Sequence, residues 1–406
     1  MHPIDILPNG IKFVYKQIDA PISHFGILIN AGTRDESNSC EGMAHFVEHT
    51  IFKGTQKRNA GQVIRYMENV GGDLNASTSK EETYFHASFL SIDSERAIEL
   101  LSDIFFNATF PEKELLKEKD VINEEINYYN DTPAELIFDD FESLIYNGHP
   151  LGNNILGSKK SIRKFKRDHI LDFIHENYTS GNIVLSYIGQ VPKPKIQKWC
   201  LKYFGYQNLP HSSRIRTPFN DYTPKTLLKK KNTSQAHLVM GNIAYPLTHD
   251  KRYPLMLLTN LLGGQGLNTR LNQAIREKKG LAYSVEASYN PFSDSGLFSI
   301  YVGCDPHKIQ NCIDITYKEL AKLRGQKLGT MQLHYAKKQF LGQWAIANES
   351  KLNEMLSLGR SALFFNEIET LEEAIRNFET MESGTLLEVA NEILLPEQFS
   401  LLTYTK

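Results

Sequence analysis

The sequence predicts an α+β protein of two pseudo-repeated domains, each a mostly antiparallel sheet with helices packed on one face. Alternating stretches such as G-I-K-F-V-Y-K are typical of strands, and stretches with apolar residues at helical spacing are interleaved with them. A similar order of elements occurs on both sides of a segment with three prolines at residues 208–225. The length of 406 residues also exceeds that of one ordinary core.

In the first half, a strand from His24 to Ala31 is followed by a helix-rich stretch. Two further strands are indicated by G-G-D-L-N-A-S-T-S and T-Y-F-H-A-S-F-L, and a helix begins at Ser94. These elements form the first predicted domain, residues 1–215.

The second half has the same order of elements. The strand A-H-L-V-M-G-N-I-A-Y precedes helices around Leu257 and Leu271. Two strands follow, K-G-L-A-Y-S-V-E-A and G-L-F-S-I-Y-V, and a helix comes after Asp305. We therefore predict a second, homologous domain at residues 216–406, so that the chain contains one duplicated unit.

The composition argues against several classes of partner. The formal net charge is -2, with 45 basic and 47 acidic residues, so no overall field attracts nucleic acid or an anionic membrane. No apolar run approaches the roughly 18 residues of a spanning helix, and M-H-P-I-D-I-L-P-N-G does not have the pattern of an export signal. The four cysteines are scattered without a C-x-x-C pair. We expect a soluble, cytoplasmic protein with reduced thiols.

The stretch H-F-V-E-H at residues 45–49 is a candidate metal site. Its surroundings predict a helix from about Glu41 to Phe52, which places His45 and His49 on one face, roughly 6 Å apart at their origins. Two imidazoles at this spacing can share one zinc ion. Glu48 is rotated by about 100° from His49 and can reach a water on the metal, as a general base would.

A zinc site of this kind needs a third protein ligand, and the acidic helix at residues 112–130 offers several carboxylates. At about 100° per residue, Glu118 and Glu125 fall within the apolar stripe and Glu124 on the solvated side. Burial of an unpaired carboxylate is costly, and a metal removes that cost. We assign Glu125 as the third ligand and Glu118 as an acid that orients a histidine or the water. The alternative is that both are solvated carboxylates at the margin of the stripe.

These motifs resemble those of the pitrilysin/insulinase-type metallopeptidases, the inverzincins, whose H-x-x-E-H reverses the thermolysin-like order. The stretch G-M-A-H-F-V-E-H-T-I-F-K-G-T is similar to the family's zinc helix. The family motif adds a glutamate further along the chain. Here E-K-D-V-I-N-E-E-I places Glu125 76 residues after His49, which favours Glu125 over Glu124.

The resemblance also implies substrate-binding residues in both halves. G-G-D-L-N-A-S-T-S-K-E-E-T is similar to the family's cleft-lining strand, which puts substrate contacts on Asn75, Ala76 and Ser77. The alternative is an ordinary edge strand. R-E-K-K-G-L-A-Y-S-V resembles the family's Arg and Tyr pair, here Arg276 and Tyr283, which could stabilise an oxyanion. Without the zinc motif, the alternative for this pair is an ion-paired arginine and a core tyrosine.

The resemblance implies a zinc-dependent endopeptidase that hydrolyses peptides or unfolded polypeptide segments. Short members of the family have two units and assemble as dimers. Because this chain carries both the zinc motif and the Arg and Tyr pair, we expect a homodimer. The alternative is a noncatalytic scaffold or substrate-binding subunit of the same fold, although such relatives usually lose zinc ligands or the glutamate base.

Overall fold

The structure is a computed structural model that describes residues 4–37, 39–210 and 215–406. The described chain forms two compact units. The first unit consists of the described residues of Met1–Asn127, Asn153–Arg216 and Ala347–Thr370. The second consists of the described residues of Tyr128–Gly152, Thr217–Ile346 and Leu371–Lys406. Each unit includes a segment from the opposite side of the predicted boundary between residues 215 and 216. Part of the predicted linker, residues 211–214, lies outside the described residues.

The strands form one sheet in each unit. Their bounds are β1 (Asp5–Ile6), β2 (Lys12–Gln17), β3 (Ile22–Ile29), β4 (Asp73–Thr78), β5 (Thr83–Leu90), β6 (Ile183–Gly189), β7 (Thr226–Lys230), β8 (Ala236–Ala244), β9 (Ala282–Pro291), β10 (Gly296–Cys304) and β11 (Ser400–Thr405). The first sheet has the order β1-β2-β6-β3-β5-β4 and the second β7-β11-β8-β10-β9. Only β2 with β6 and β7 with β11 are parallel pairs among these described strands. The predicted α+β class with mostly antiparallel sheets is confirmed.

The α-helices connect and cover these sheets. Their bounds are α1 (Met43–Thr50), α2 (Ala60–Glu68), α3 (Ser94–Asn107), α4 (Glu112–Asn130), α5 (Pro133–Ile145), α6 (Lys159–Lys164), α7 (Arg167–Asn177), α8 (Lys193–Tyr203), α9 (Arg252–Gly263), α10 (Ile309–Gly325), α11 (Thr330–Ala347), α12 (Lys351–Phe364), α13 (Leu371–Glu379) and α14 (Ser383–Ile393). A π-helical turn spans Asn272–Glu277. In the described chain, no helix combines the length with the hydrophobicity that a bilayer-spanning segment requires.

Helices lie on both faces of each sheet, whereas the sequence predicted one face. In the first unit, Phe25 of β3 contacts Phe204 at the end of α8, with ring centroids 6.0 Å apart. The neighbouring Leu28 faces α12, where a Cβ added to Gly359 would lie 2.6 Å from Leu28 Cδ1. The apolar run of β3 is thus buried on both sides.

The second sheet is covered in the same way. On one face, Asn242 Nδ2 of β8 donates to Ile393 O of α14 at 2.9 Å. On the other, Phe138 of α5 lies against Tyr301 of β10, with ring centroids 5.2 Å apart. Because α5 and α12 each belong to the unit on the other side of the predicted boundary, local sequence patterns do not reveal which face they cover.

Candidate metal centre

Helix α1 presents its histidines from a buried and capped segment. Phe46 and Val47 are fully buried, which holds one side of the helix in the core. At the start of the helix, the Glu36 carboxylate accepts hydrogen bonds from Gly42 N and Ala44 N, each at 2.8 Å. These two bonds satisfy N–H groups that the first turn of a helix leaves unpaired. The sequence analysis missed Glu36.

The structure brings the three predicted ligands together. Glu125 Oε2 lies 3.7 Å from His45 Nε2 and 3.6 Å from His49 Nε2. One ligand atom from each of the three residues lies within 4.8 Å of the other two. Ligand atoms at about 2.1 Å from one tetrahedral zinc are about 3.4 Å apart, so this spacing suits a single ion. In residues 4–37, 39–210 and 215–406 no other group of three such side chains comes as close.

The protonation of His45 also suits a cation. Burial, and to a smaller extent the proximity of His49, lowers the pKa of His45 to about 3. The imidazole is therefore neutral at physiological pH and keeps a lone pair for a metal. Together with the carboxylate of Glu125 it forms a donor set typical of zinc. The residues present fit the ion that the motif implies.

Glu48 is half-buried beside this cluster. Burial raises the pKa of Glu48 above its ordinary value, with a smaller contribution from Glu125 and against the opposing effects of Thr78 and His49. A carboxylate with a raised pKa is better suited to accept and release a proton near neutral pH. Thr78, which ends β4, is a neighbour of Glu48 that the sequence analysis did not single out.

Glu118 contacts the second histidine and a lysine. Its Oε2 atom lies 3.3 Å from His49 Nδ1, and its Oε1 atom lies 2.7 Å from Lys53 Nζ. The Glu118 side chain is 9% exposed, so its carboxylate is largely shielded from water. Lys53 was also missed, although it follows His49 by four residues and a helix continued past Thr50 would place both on one face. By contrast, the neighbour Glu124 is exposed, as the helical spacing predicted.

The predicted substrate residues of the first half lie in β4, at the edge of the first sheet. Asn75, Ala76 and Ser77 pair with β5 on one side only, opposite His86, Phe85 and Tyr84 respectively. Asn75 is exposed, and Ala76 and Ser77 are partly exposed. The other side of β4 has no partner strand in the described chain, so its backbone groups can receive an added strand.

Arg276 and Tyr283 lie in the second unit. Arg276 belongs to the π-helical turn, and its Nε atom lies 3.8 Å from Glu277 Oε1. Tyr283 lies in the edge strand β9, is 58% exposed and directs its hydroxyl to Asp305 Oδ1 at 3.4 Å. Neither is a core residue. The metal-binding candidates, by contrast, all lie in the first unit.

Two family models match this chain. Residues 12–159 match the model described as insulinase (peptidase family M16). This matched region includes His45, His49 and Glu125. Residues 164–340 match the model described as the peptidase M16 inactive domain. The candidate metal site thus falls in the first matched region, and Arg276 and Tyr283 fall in the second.

Relatives and solved structures match almost the full length. A zinc protease of Bacillus subtilis, described as uncharacterized, is 33% identical over 395 residues, covering 97% of this chain and 95% of the relative. A similarly described zinc protease of Rickettsia felis is 32% identical over 392 residues, covering 96% and 94%. The crystal structure of a protease from Helicobacter pylori has a TM-score of 0.92 at 22% identity and covers 100% of both chains. That structure shows the same fold.

Proposed function

Because the chain belongs to the insulinase-type peptidase family M16, we propose that it is a zinc-dependent endopeptidase for peptides or unfolded polypeptide segments. The observation that carries this proposal is the convergence of one ligand atom each from His45, His49 and Glu125 within 4.8 Å. The relatives from B. subtilis and R. felis are named zinc proteases. Three protein ligands leave a fourth position of a tetrahedral ion open.

The proposed chemistry divides between the ion and Glu48. Zinc held by the three ligands would supply Lewis-acid activation of a water molecule and of the scissile carbonyl. Glu48 accepts one proton from the attacking water and later gives it to the leaving amine nitrogen, so the carboxylate is regenerated. Its raised pKa, which burial causes, supports both steps.

Glu118 and Lys53 would hold His49 in position. When His49 donates its Nδ1 proton to Glu118, the tautomer leaves the Nε2 lone pair free for the cation. The contact of 3.3 Å between these two atoms supports that arrangement. Lys53 would in turn keep the Glu118 carboxylate charged.

The free edge of β4 is the proposed substrate-binding surface. An extended peptide can add to it as a further strand, with main-chain hydrogen bonds to Asn75, Ala76 and Ser77. The proximity of Thr78 to Glu48 supports this placement, because a strand bound along β4 would run past the proposed base. Such binding selects for extended chain more than for particular side chains.

Arg276 and Tyr283 are proposed to bind the substrate and its developing oxyanion. Their exposure leaves a guanidinium and a phenol free to reach a ligand. We also propose a homodimer, because one chain carries both the zinc motif and this pair. The proposed location is the cytoplasm, and the four free cysteines are compatible with a reducing compartment.

A noncatalytic scaffold of the same fold is the alternative. The match of residues 164–340 to an inactive domain would suit it, but the first matched region keeps both histidines and Glu48. The decisive experiment combines metal analysis with digestion of an unstructured peptide mixture, with and without a chelator. Chelator-sensitive cleavage and one zinc per chain are expected, and zinc without cleavage would identify a scaffold.

Matched glutamate variants test the proposed roles. Glu48→Gln is expected to keep zinc and folding but to lose cleavage by several orders of magnitude. Glu125→Gln is expected to lose zinc, whereas Glu124→Gln, on the exposed side of the same helix, should keep zinc and activity. Unchanged turnover in Glu48→Gln would reject the mechanism.

A further inference from the structure

A strongly basic segment lies on the surface of the first unit. Residues 159–167 read K-K-S-I-R-K-F-K-R, with six cations in nine positions, although the whole chain has a net charge of -2. All six cationic side chains are exposed: Lys159, Lys160, Arg163, Lys164, Lys166 and Arg167. Within the described part of the chain, none of them forms an ion pair within 4.0 Å. Within the described residues, direct ion pairs therefore do not neutralise these six charges.

The backbone of this segment is firmly held. Ile162 and Phe165, which alternate with the cations, are 0% and 1% exposed. Phe165 packs edge-on against Phe46 of α1, with ring centroids 5.3 Å apart. Ser158 caps α6 by accepting a hydrogen bond from Ser161 N at 3.1 Å. The cations are thus presented from a fixed scaffold.

Part of the segment forms one wall of a cleft of about 470 Å³, and the first half of α4 forms the other. Five cations line it: Lys119, Arg163, Lys164, Lys166 and Arg167. Two of them donate to neutral oxygens, Lys119 Nζ to Arg163 O at 3.1 Å and Arg167 Nε to Thr109 O at 2.8 Å. Leu116, which is 58% exposed, adds an apolar patch to the cleft.

The charge in the cleft is only partly balanced. Burial, and to a smaller extent Lys166, lowers the pKa of Lys119 against the opposing effect of Glu112. Glu112 and Asp168 are the carboxylates among the residues that line the cleft. An anionic ligand would supply the missing countercharge, and Leu116 would contact an apolar group.

We propose that this cleft binds an acidic polypeptide segment that also carries an apolar residue. Carboxylates would pair with the guanidinium and ammonium groups, and a leucine or similar side chain would cover Leu116. A single nucleic-acid strand fits less well, because stacking platforms are exposed aromatics and the aromatic side chain of this cleft, Phe165, is buried. This proposal does not depend on the peptidase chemistry.

The test is peptide binding by fluorescence anisotropy, using full-length Glu48→Gln protein in chelator so that cleavage does not intervene. The probe is a fluorescein-labelled peptide rich in glutamate, with two leucines. The site variant is Lys164→Glu/Lys166→Glu, because both lysines are exposed and line the cleft. The matched control is Lys195→Glu/Lys198→Glu on α8, which makes the same charge change in the same unit.

At about 0.15 M salt we expect the site variant to weaken binding by about tenfold or more, and the control by less than about twofold. Replacing both leucines in the peptide by serine should also weaken binding. Equal losses in the two variants, or no binding at all, would overturn the proposal. Tighter binding of a single-stranded oligonucleotide that is lost in the same site variant would also overturn it, in favour of a nucleic-acid partner. Peptide cleavage by the parent protein is measured separately, so either proposal can fail alone.

Discussion

Lys53 Nζ lies 2.7 Å from Glu118 Oε1, while the other oxygen of the same carboxylate lies 3.3 Å from His49 Nδ1. Burial acts to raise the pKa of Glu118, but the contacts with His49 and Lys53 outweigh it, and the pKa is lowered. The histidine and the lysine together therefore favour the charged form of the carboxylate. An orienting carboxylate of this kind commonly strengthens metal binding.

Lys53→Met should lower zinc affinity by about tenfold, because outer groups that orient a metal-binding histidine contribute on that scale. Lys53→Arg should restore most of the loss, since it keeps the cation. The measurement is zinc competition with a chromophoric chelator. Lys57→Met is the control, because its side chain is 63% exposed and lies 3.9 Å from Glu99. Equal affinity of Lys53→Met and the parent would show that Lys53 does not act on the site.

Glu36→Ala should destabilise the protein by about 2 kcal/mol, because it removes the acceptor of two buried N–H groups at the start of α1. Urea unfolding of the metal-free protein measures the change without a contribution from zinc. Glu124→Ala, an exposed glutamate in the interior of α4, provides the control and should change stability little. If the two variants were equally stable, the cap would contribute nothing measurable.

Gly42→Ala should be strongly destabilising for two reasons. Gly42 has φ +89°, and a Cβ there would lie 2.8 Å from Leu156 O. We expect a loss of about 3 kcal/mol, from left-handed strain and a clash with backbone. Gly148→Ala distinguishes the left-handed strain from the clash, because Gly148 has φ +78° but no atom within 4 Å of an added Cβ. Its loss should be about 1 kcal/mol by thermal unfolding, and equal losses would exclude the clash.

Glu354→Gln should make stability less dependent on pH. Burial acts to raise the pKa of Glu354, but Lys16 and Lys351 outweigh it, and the folded-state pKa lies below the ordinary 4.5. The ion pairs therefore stabilise the fold above pH 4.5, and this contribution is lost as pH falls through the lowered pKa. We expect the variant to be about 1 kcal/mol less stable at neutral pH, since the pair is partly exposed.

Urea unfolding of the parent and Glu354→Gln from neutral pH to below 4.5 measures this effect. The difference in the free energy of unfolding between the parent and the variant should narrow as the Glu354 carboxylate of the parent becomes protonated. A constant gap across the whole pH range would mean that packing, rather than charge, accounts for the loss.

Local spacing accounts for what the sequence revealed of the candidate site. His45, Glu48 and His49 lie within five residues, so helical geometry alone relates their side chains. The predicted helices around them are present as α1 and α4. The assignments of Glu125 and Glu118 relied on helical periodicity and, for Glu125, on the family resemblance as well. The metal-binding roles of His45, His49 and Glu125, the orienting role of Glu118 and the role of Glu48 as general base are proposals.

Residues whose effect depends on a contact outside the regular helical pattern were missed. Glu36 and Lys53 each bear on the site through a hydrogen bond or an ion pair that the local pattern does not encode. A charged residue in sequence is usually a solvated one. Only its contacts reveal that it is held in place.

The sequence by itself determined the helical and strand periodicities, the duplicated order of elements and the histidine pair, because all of these depend on neighbouring residues. The tertiary structure decided the rest. Glu82, in a polar turn, is buried, and its carboxylate lies 2.7 Å from Arg360 Nε of α12. That partner is 278 residues away, and the pairing exists only because burying both faces of the first sheet requires α12 to pack there.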